Sequence, residues 1–125
     1  MQKTAKRILI VDDEPDILEF LRIILEEEEG YEVATSDKGE FLEQLHNNRL
    51  PHLILVDVLL SGKDGRAIVK HLKSQPGTMH IPVIMFSAHP SAYKTSLKAG
   101  ADDFLAKPFA IGELLAKIAH FLKLE

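Results

Sequence analysis

Short apolar, β-branched runs alternate with amphipathic stretches along the whole chain. The runs at residues 7–12, 31–36, 52–57, 81–87 and, shorter, 103–106 are mostly continuous in apolar character. That is the pattern of strands buried on both faces, and it predicts a parallel sheet. After Pro15 and before Gly30, the residues Ile17, Phe20, Leu21, Ile24 and Leu25 recur at helical spacing, predicting a helix with one apolar face. Phe41, Leu42 and Leu45 mark a second helix, and Ile68, Val69 and Leu72 a third, ended by Pro76 and Gly77. The last helix carries Ile111, Leu114, Leu115, Ile118 and Leu122 on one stripe, whereas residues 90–98 offer only Ala92, Tyr93 and Leu97 and form the weakest helix of the set. Five βα units with right-handed crossovers predict an α/β fold, a doubly wound five-stranded parallel sheet with helices on both faces.

Composition narrows the class without changing that picture. A chain of 125 residues fits one domain, residues 1–125, around a single core. At 46% hydrophobic and 27% charged it is an ordinary globular sequence, not a disordered tail. Fifteen Lys and Arg against nineteen Asp and Glu give a net charge of -4, so direct nucleic-acid binding by this domain is not expected. With no cysteine, disulfides, thiolate metal sites and thiol nucleophiles are excluded. The longest apolar runs, such as residues 8–11 and 53–56, are far too short to cross a bilayer, and the N-terminus has no signal-peptide pattern. No membrane contact and a cytoplasmic location are the expectation.

In a doubly wound sheet the functional crevice lies beyond the carboxyl ends of the strands. Those ends carry Asp12 and Asp13, Asp57, Ser87 and Lys107. Singly, each has an ordinary explanation: a helix cap for Asp12 and Asp13, a turn for Asp57, a turn or cap for Ser87, a surface lysine before the last helix for Lys107. Together they place carboxylates, a hydroxyl and an ammonium in one crevice, which accident does not readily supply. The first loop selects the ligand class. A phosphate cradle needs glycine or hydroxyl residues there, but residues 1–29 contain no glycine. Asp12, Asp13 and Glu14 instead suit a hard divalent cation, with Asp57 as a further carboxylate, and Mg²⁺ is the expected cofactor. A carboxylate beside such a cation can attack a phosphoryl group while Lys107 and Ser87 contact its oxygens. Asp12 and Asp13 are adjacent and suited to sharing a metal, so the attack is assigned to Asp57, opposite Lys107.

These residues carry a family resemblance that spans essentially the whole chain. The segments are Ile8-Leu9-Ile10-Val11-Asp12-Asp13-Glu14-Pro15, Asp57 with Lys63-Asp64-Gly65, Ser87-Ala88, and Ala99-Gly100-Ala101-Asp102-Asp103-Phe104-Leu105-Ala106-Lys107-Pro108-Phe109. The chain resembles a receiver domain of the two-component response regulators, including the single-domain chemotaxis type. The resemblance implies a (βα)5 flavodoxin-like sheet of strand order 2-1-3-4-5. It also implies Asp57 as phospho-acceptor from a histidine kinase or histidine phosphotransfer protein. Mg²⁺ would be held by Asp12, Asp13, Asp57 and the Leu59 backbone carbonyl. Ser87 and Phe104 would form the switch pair, the hydroxyl moving to the phosphoryl group as the ring turns inward, and the Lys107-Pro108 bond would be cis. The surface of the fourth helix, fifth strand and last helix would then control an output domain or downstream protein.

Some positions depart from the family pattern. Ser61 stands where proline is usual, Phe104 lacks the tyrosine hydroxyl, and the interval from Ser87 to Lys107 is slightly short, which trims the fourth helix. The implied role is a signalling switch with self-phosphorylation and self-dephosphorylation chemistry, not an enzyme acting on other substrates. A Mg²⁺-dependent phosphatase working through an aspartyl-phosphate intermediate is the competing reading. Its dehalogenase-type version needs a second acid two residues after the nucleophile, where this chain has Leu59. A scaffold without phosphoryl chemistry would be expected to lack an essential acid or the lysine, and none is missing.

Overall fold

The computed structural model describes residues 5–37, 50–60 and 62–122. Its five central strands are β1 (Arg7–Val11), β2 (Glu32–Ser36), β3 (Leu53–Asp57), β6 (Val83–Ser87) and β7 (Asp103–Ala106), with the short strands β4 (Leu59–Leu60) and β5 (Lys63–Asp64) lying apart from them. The five form one sheet in the order β2-β1-β3-β6-β7, all neighbours parallel. Counting these strands alone, the order is 2-1-3-4-5, the flavodoxin-like arrangement expected from the resemblance. Every residue of β3 and β6 is buried, which is why these segments read as unbroken apolar runs.

Side chains alternate across the sheet into two cores. Leu9, Val11, Ile54, Val56, Val83 and Met85 enter one, with Ile68, Val69 and Leu72 of helix α2 (Gly65–Ser74). Ile8, Ile10, Leu53, Leu55, Ile84 and Phe86 enter the other. There they meet Leu21 of α1 (Pro15–Ile23), with Leu114 and Ile118 of α4 (Ile111–Phe121). Strand period two thus feeds helix layers on both faces.

The first helix corrects one sequence expectation. Phe20 does not belong to its buried stripe but is 51% exposed. Leu21 and Leu25 define the inward direction and Ile17 and Leu18 flank it, while Phe20 lies about 100° away around the axis. The helix continues as a π-helical turn over Ile24–Glu28. It ends where Gly30, at φ 78°, lets the Tyr31 N–H reach the Leu25 carbonyl at 3.0 Å.

The segment between β6 and β7 does form a helix, α3 (Ala92–Ala99), of 8 residues. Its inner face is Ala92, one of the expected positions, with Ser96, whereas the other two, Tyr93 and Leu97, are exposed. One feature has no sequence signature: β4 and β5 pair as a two-residue antiparallel hairpin after β3. Runs so short have no readable period. The helix expected around Phe41, Leu42 and Leu45, and the position of Ser61, lie outside the described residues.

Candidate functional site

The parallel register brings the ends of β1, β3, β6 and β7 to one edge of the sheet. Val11 pairs with Val56, Asp57 with Phe86, and Ser87 with Ala106, so the residues leaving these strands must meet. Asp12 has no exposed surface, and its N–H donates to the Ser36 carbonyl at 3.0 Å. Its Oδ1 accepts from the Glu14 N–H at 2.8 Å, closing the turn into α1. Asp57 is buried at the end of β3, and its Oδ1 accepts from the Leu59 N–H at 3.2 Å.

Lys107 crosses to both carboxylates. Its backbone N–H donates to the Ser87 carbonyl at 2.7 Å, and its bond to Pro108 is cis. From there Nζ donates to Asp57 Oδ2 at 2.9 Å and to Asp12 Oδ2 at 3.2 Å. Burial disfavours the ammonium, but the hydrogen bond to Asp57 and the charges of Asp12 and Asp57 outweigh it and raise the Lys107 pKa.

Asp12, Asp13 and Asp57 each offer a carboxylate oxygen, all within 4.8 Å of one another. Three hard oxygen donors gathered beside the Lys107 ammonium suit Mg²⁺, which takes oxygen ligands and keeps some waters. Glu14, expected with this group, stands apart: its carboxylate is largely exposed and lies 3.6 Å from Lys107 Nζ. Leu59 opens the hairpin, with its side chain 53% exposed.

A glycine sustains this geometry. Gly65, which begins α2, donates its N–H to the Val58 carbonyl at 2.7 Å, and a Cβ there would collide with the Asp57 backbone carbonyl. The hairpin thus folds back directly beneath the carboxylate-bearing residue.

The hydroxyl and the aromatic are close by but differently engaged. Ser87 is buried, and among the described residues its Oγ accepts from the His89 N–H at 3.0 Å rather than meeting an acidic side chain. Phe104 is 8% exposed, already inward, with Tyr93 edge-on at 5.8 Å. Sequence reasoning missed Phe86, whose ring centroid lies 4.8 Å from Lys107 Nζ. Its signal was an aromatic immediately before Ser87.

Burial pushes the Asp12 carboxyl up to about 6, although the Glu14 N–H and Lys107 pull the other way and Asp57 adds repulsion. A pKa raised above the unfolded value of 3.8 makes a contribution to stability that is full below that value and is lost as pH rises through about 6. His52, whose pKa burial lowers, works oppositely in an overlapping range. The Asp12 contribution is therefore isolated by comparison with Asp12→Asn. Without metal, the melting temperature of the unsubstituted protein relative to that variant should rise as pH falls from 7.5 to 5. A difference independent of pH would show that Asp12 is not held out of its ordinary range.

Comparison with known proteins converges on one family. The family model of the response regulator receiver domain matches residues 8–119. The phosphate regulon transcriptional regulatory protein PhoB of Escherichia coli (strain K12) is 40% identical over 121 residues, covering 95% of this chain and 52% of PhoB. The chain therefore spans about half the length of that relative. The receiver domain of a signal transduction histidine kinase from Syntrophus aciditrophicus superimposes with a TM-score of 0.84 at 36% identity, over 97% of this chain and 96% of that one. The Francisella response regulator 1452 receiver domain does so with a TM-score of 0.82 at 30% identity, over 94% and 97%. With the fold, the acidic cluster and the crossing lysine in agreement, the chain belongs to the receiver domains of the two-component response regulators.

Proposed function

We propose that residues 1–125 form one receiver domain, a switch that takes a phosphoryl group onto Asp57 in a Mg²⁺-dependent reaction. The observation that carries this reading is the convergence of Asp12, Asp13 and Asp57 within 4.8 Å, with Lys107 Nζ 2.9 Å from Asp57. Asp57 attacks the phosphorus, the bond to the donor's histidine nitrogen breaks, and an acyl phosphate forms while the imidazole departs. Asp12, Asp13, Asp57 and the Leu59 backbone carbonyl would hold Mg²⁺, which would supply charge neutralisation for the transferring oxygens. Lys107 donates to one phosphoryl oxygen. The Ser87 hydroxyl leaves its loop contact with His89 to donate to another, drawing the start of the β6–α3 connection inward.

Phe104, already packed under Tyr93, transmits that movement to α3, β7 and α4 as the surface read by an output domain or downstream protein. The donor is a histidine kinase or histidine phosphotransfer protein. A cytoplasmic setting fits receiver domains as a class, and nucleic-acid contact, if the whole protein makes it, belongs to another domain. None of the described helices is long and apolar enough to cross a membrane. A phosphatase acting on a separate substrate is disfavoured by Leu59, which offers no acid for the leaving group.

Incubation with acetyl phosphate should add one phosphoryl group, detected by intact mass. Removal of Mg²⁺ with EDTA should slow the reaction by roughly 100-fold or more. Equal uptake with and without the cation would contradict this reading.

A further inference from the structure

Among the described residues, three carboxylates and one aromatic ring lie against the Lys107 ammonium. The carboxylates are Asp57 at 2.9 Å, Asp12 at 3.2 Å and Glu14 at 3.6 Å. The ring is that of Phe86, with its centroid 4.8 Å from Nζ, inside the roughly 6 Å range of cation–π attraction. We infer that Phe86 is a positioning residue for Lys107, its ring holding the ammonium at the gap between Asp57 and Asp12.

The ring is well fixed for such a task. Phe86 is 2% exposed, stands opposite Asp57 in the β3–β6 register, and immediately precedes Ser87. Phe109, in the connection between β7 and α4, packs edge-on against it with centroids 6.1 Å apart and planes at 82°. The β6 backbone and the Phe109 ring from the β7–α4 connection therefore fix its place. Lys107, by contrast, carries its charge on a flexible four-carbon stem.

The carboxylate contacts alone do not make Lys107 dependable. Asp12 and Asp57 are also members of the acidic cluster, and an oxygen engaged by a metal or a phosphoryl group is no longer the same partner for the ammonium. An aromatic face is uncharged and competes for neither, so its attraction persists when the oxygens are redirected.

This inference rests on the proposed phosphoryl chemistry for its consequence, but its structural part is testable without metal or phosphoryl donor. Three proteins are compared: the unsubstituted chain, Phe86→Leu, and the chain with pentafluorophenylalanine at position 86. The fluorinated ring keeps the shape of Phe86 but reverses the sign of its face. In metal-free protein, NMR should show a ring-current displacement of the Lys107 ε-methylene protons that disappears in Phe86→Leu. Relaxation of the Lys107 amine nitrogen should report greater mobility in both altered proteins. With Mg²⁺ and acetyl phosphate, both should take up phosphoryl groups roughly three- to tenfold more slowly. A fluorinated protein with unchanged Lys107 mobility and unchanged rate would overturn the assignment, whatever Phe86→Leu does, because volume alone would then suffice. If the unsubstituted protein takes up no phosphoryl group, the proposed function fails while the mobility comparison still decides the role of Phe86.

Discussion

Asp57→Asn is expected to abolish phosphoryl uptake, lowering the rate by at least roughly 1000-fold, while leaving the protein folded. An amide oxygen has nearly the shape of the carboxylate oxygen but is a poor nucleophile towards phosphorus. Asp57 also lies nearer to Lys107 than Asp12 does, so a phosphoryl group arriving at position 57 meets an ammonium already in place. The fold should tolerate the change. The Leu59 N–H can still donate to an amide oxygen at that position, and loss of one negative charge relieves repulsion on buried Asp12. The Asp12 midpoint in metal-free protein should consequently move down. Intact mass after exposure to Mg²⁺ and acetyl phosphate, with circular dichroism to verify folding, reads the outcome. Uptake by Asp57→Asn at the unsubstituted rate would mean that another carboxylate is the acceptor.

The largest effect on stability should come from Gly65→Ala. A methyl at this position meets the backbone carbonyl of Asp57, the last residue of a fully buried strand, with the terminal carbon of Met85 also close by. A carbonyl in the sheet cannot swing aside as a flexible side chain can, so α2 or the hairpin must shift. Overpacking against such a neighbour costs about 3 kcal/mol or more, which corresponds to a melting temperature lower by roughly 10 °C. Gly112→Ala is the internal control. That glycine lies in α4, and nothing stands within 4 Å of the place a methyl would take, so alanine should stabilise by about 0.5–1 kcal/mol through helix propensity. Equal melting temperatures for the two variants would contradict the close approach at Gly65.

The centre of the sheet was legible because β1, β3 and β6 are buried on both faces, and burial writes itself as continuous apolar runs; the edge strand β2 is largely exposed. Asp103–Ala106 was read with its observed bounds, and the other strands begin one or two residues later than their apolar runs or end one earlier. Helix faces were less legible where apolar residues outnumber the inward positions. Phe20 fits the helical spacing as well as Leu18 does, and only the packing of Leu21 and Leu25 against the sheet decides which turns in. In α3 small residues, Ala92 and Ser96, face inward, so of the apolar positions only Ala92 marked the buried side and the larger Tyr93 and Leu97 pointed away from it.

The site followed the same logic. Asp12, Asp57 and Lys107 were readable because topology sends strand ends to one edge. Phe86 was not, since an aromatic on a central strand is ordinary core until a lysine is found over its face. Glu14 matched the local charge pattern but turns to the rim, and neither the engagement of Ser87 with His89 nor the inward Phe104 leaves any mark in composition or spacing.

The acceptor itself is best identified by trapping the acyl phosphate. Protein phosphorylated with acetyl phosphate and Mg²⁺ is reduced with borohydride, which converts a phosphorylated aspartate to homoserine, and is then mapped by peptide mass spectrometry. Conversion confined to position 57, and absent when EDTA is present during phosphorylation, is the predicted result; conversion at position 12 or 13 with position 57 intact would contradict the central assignment.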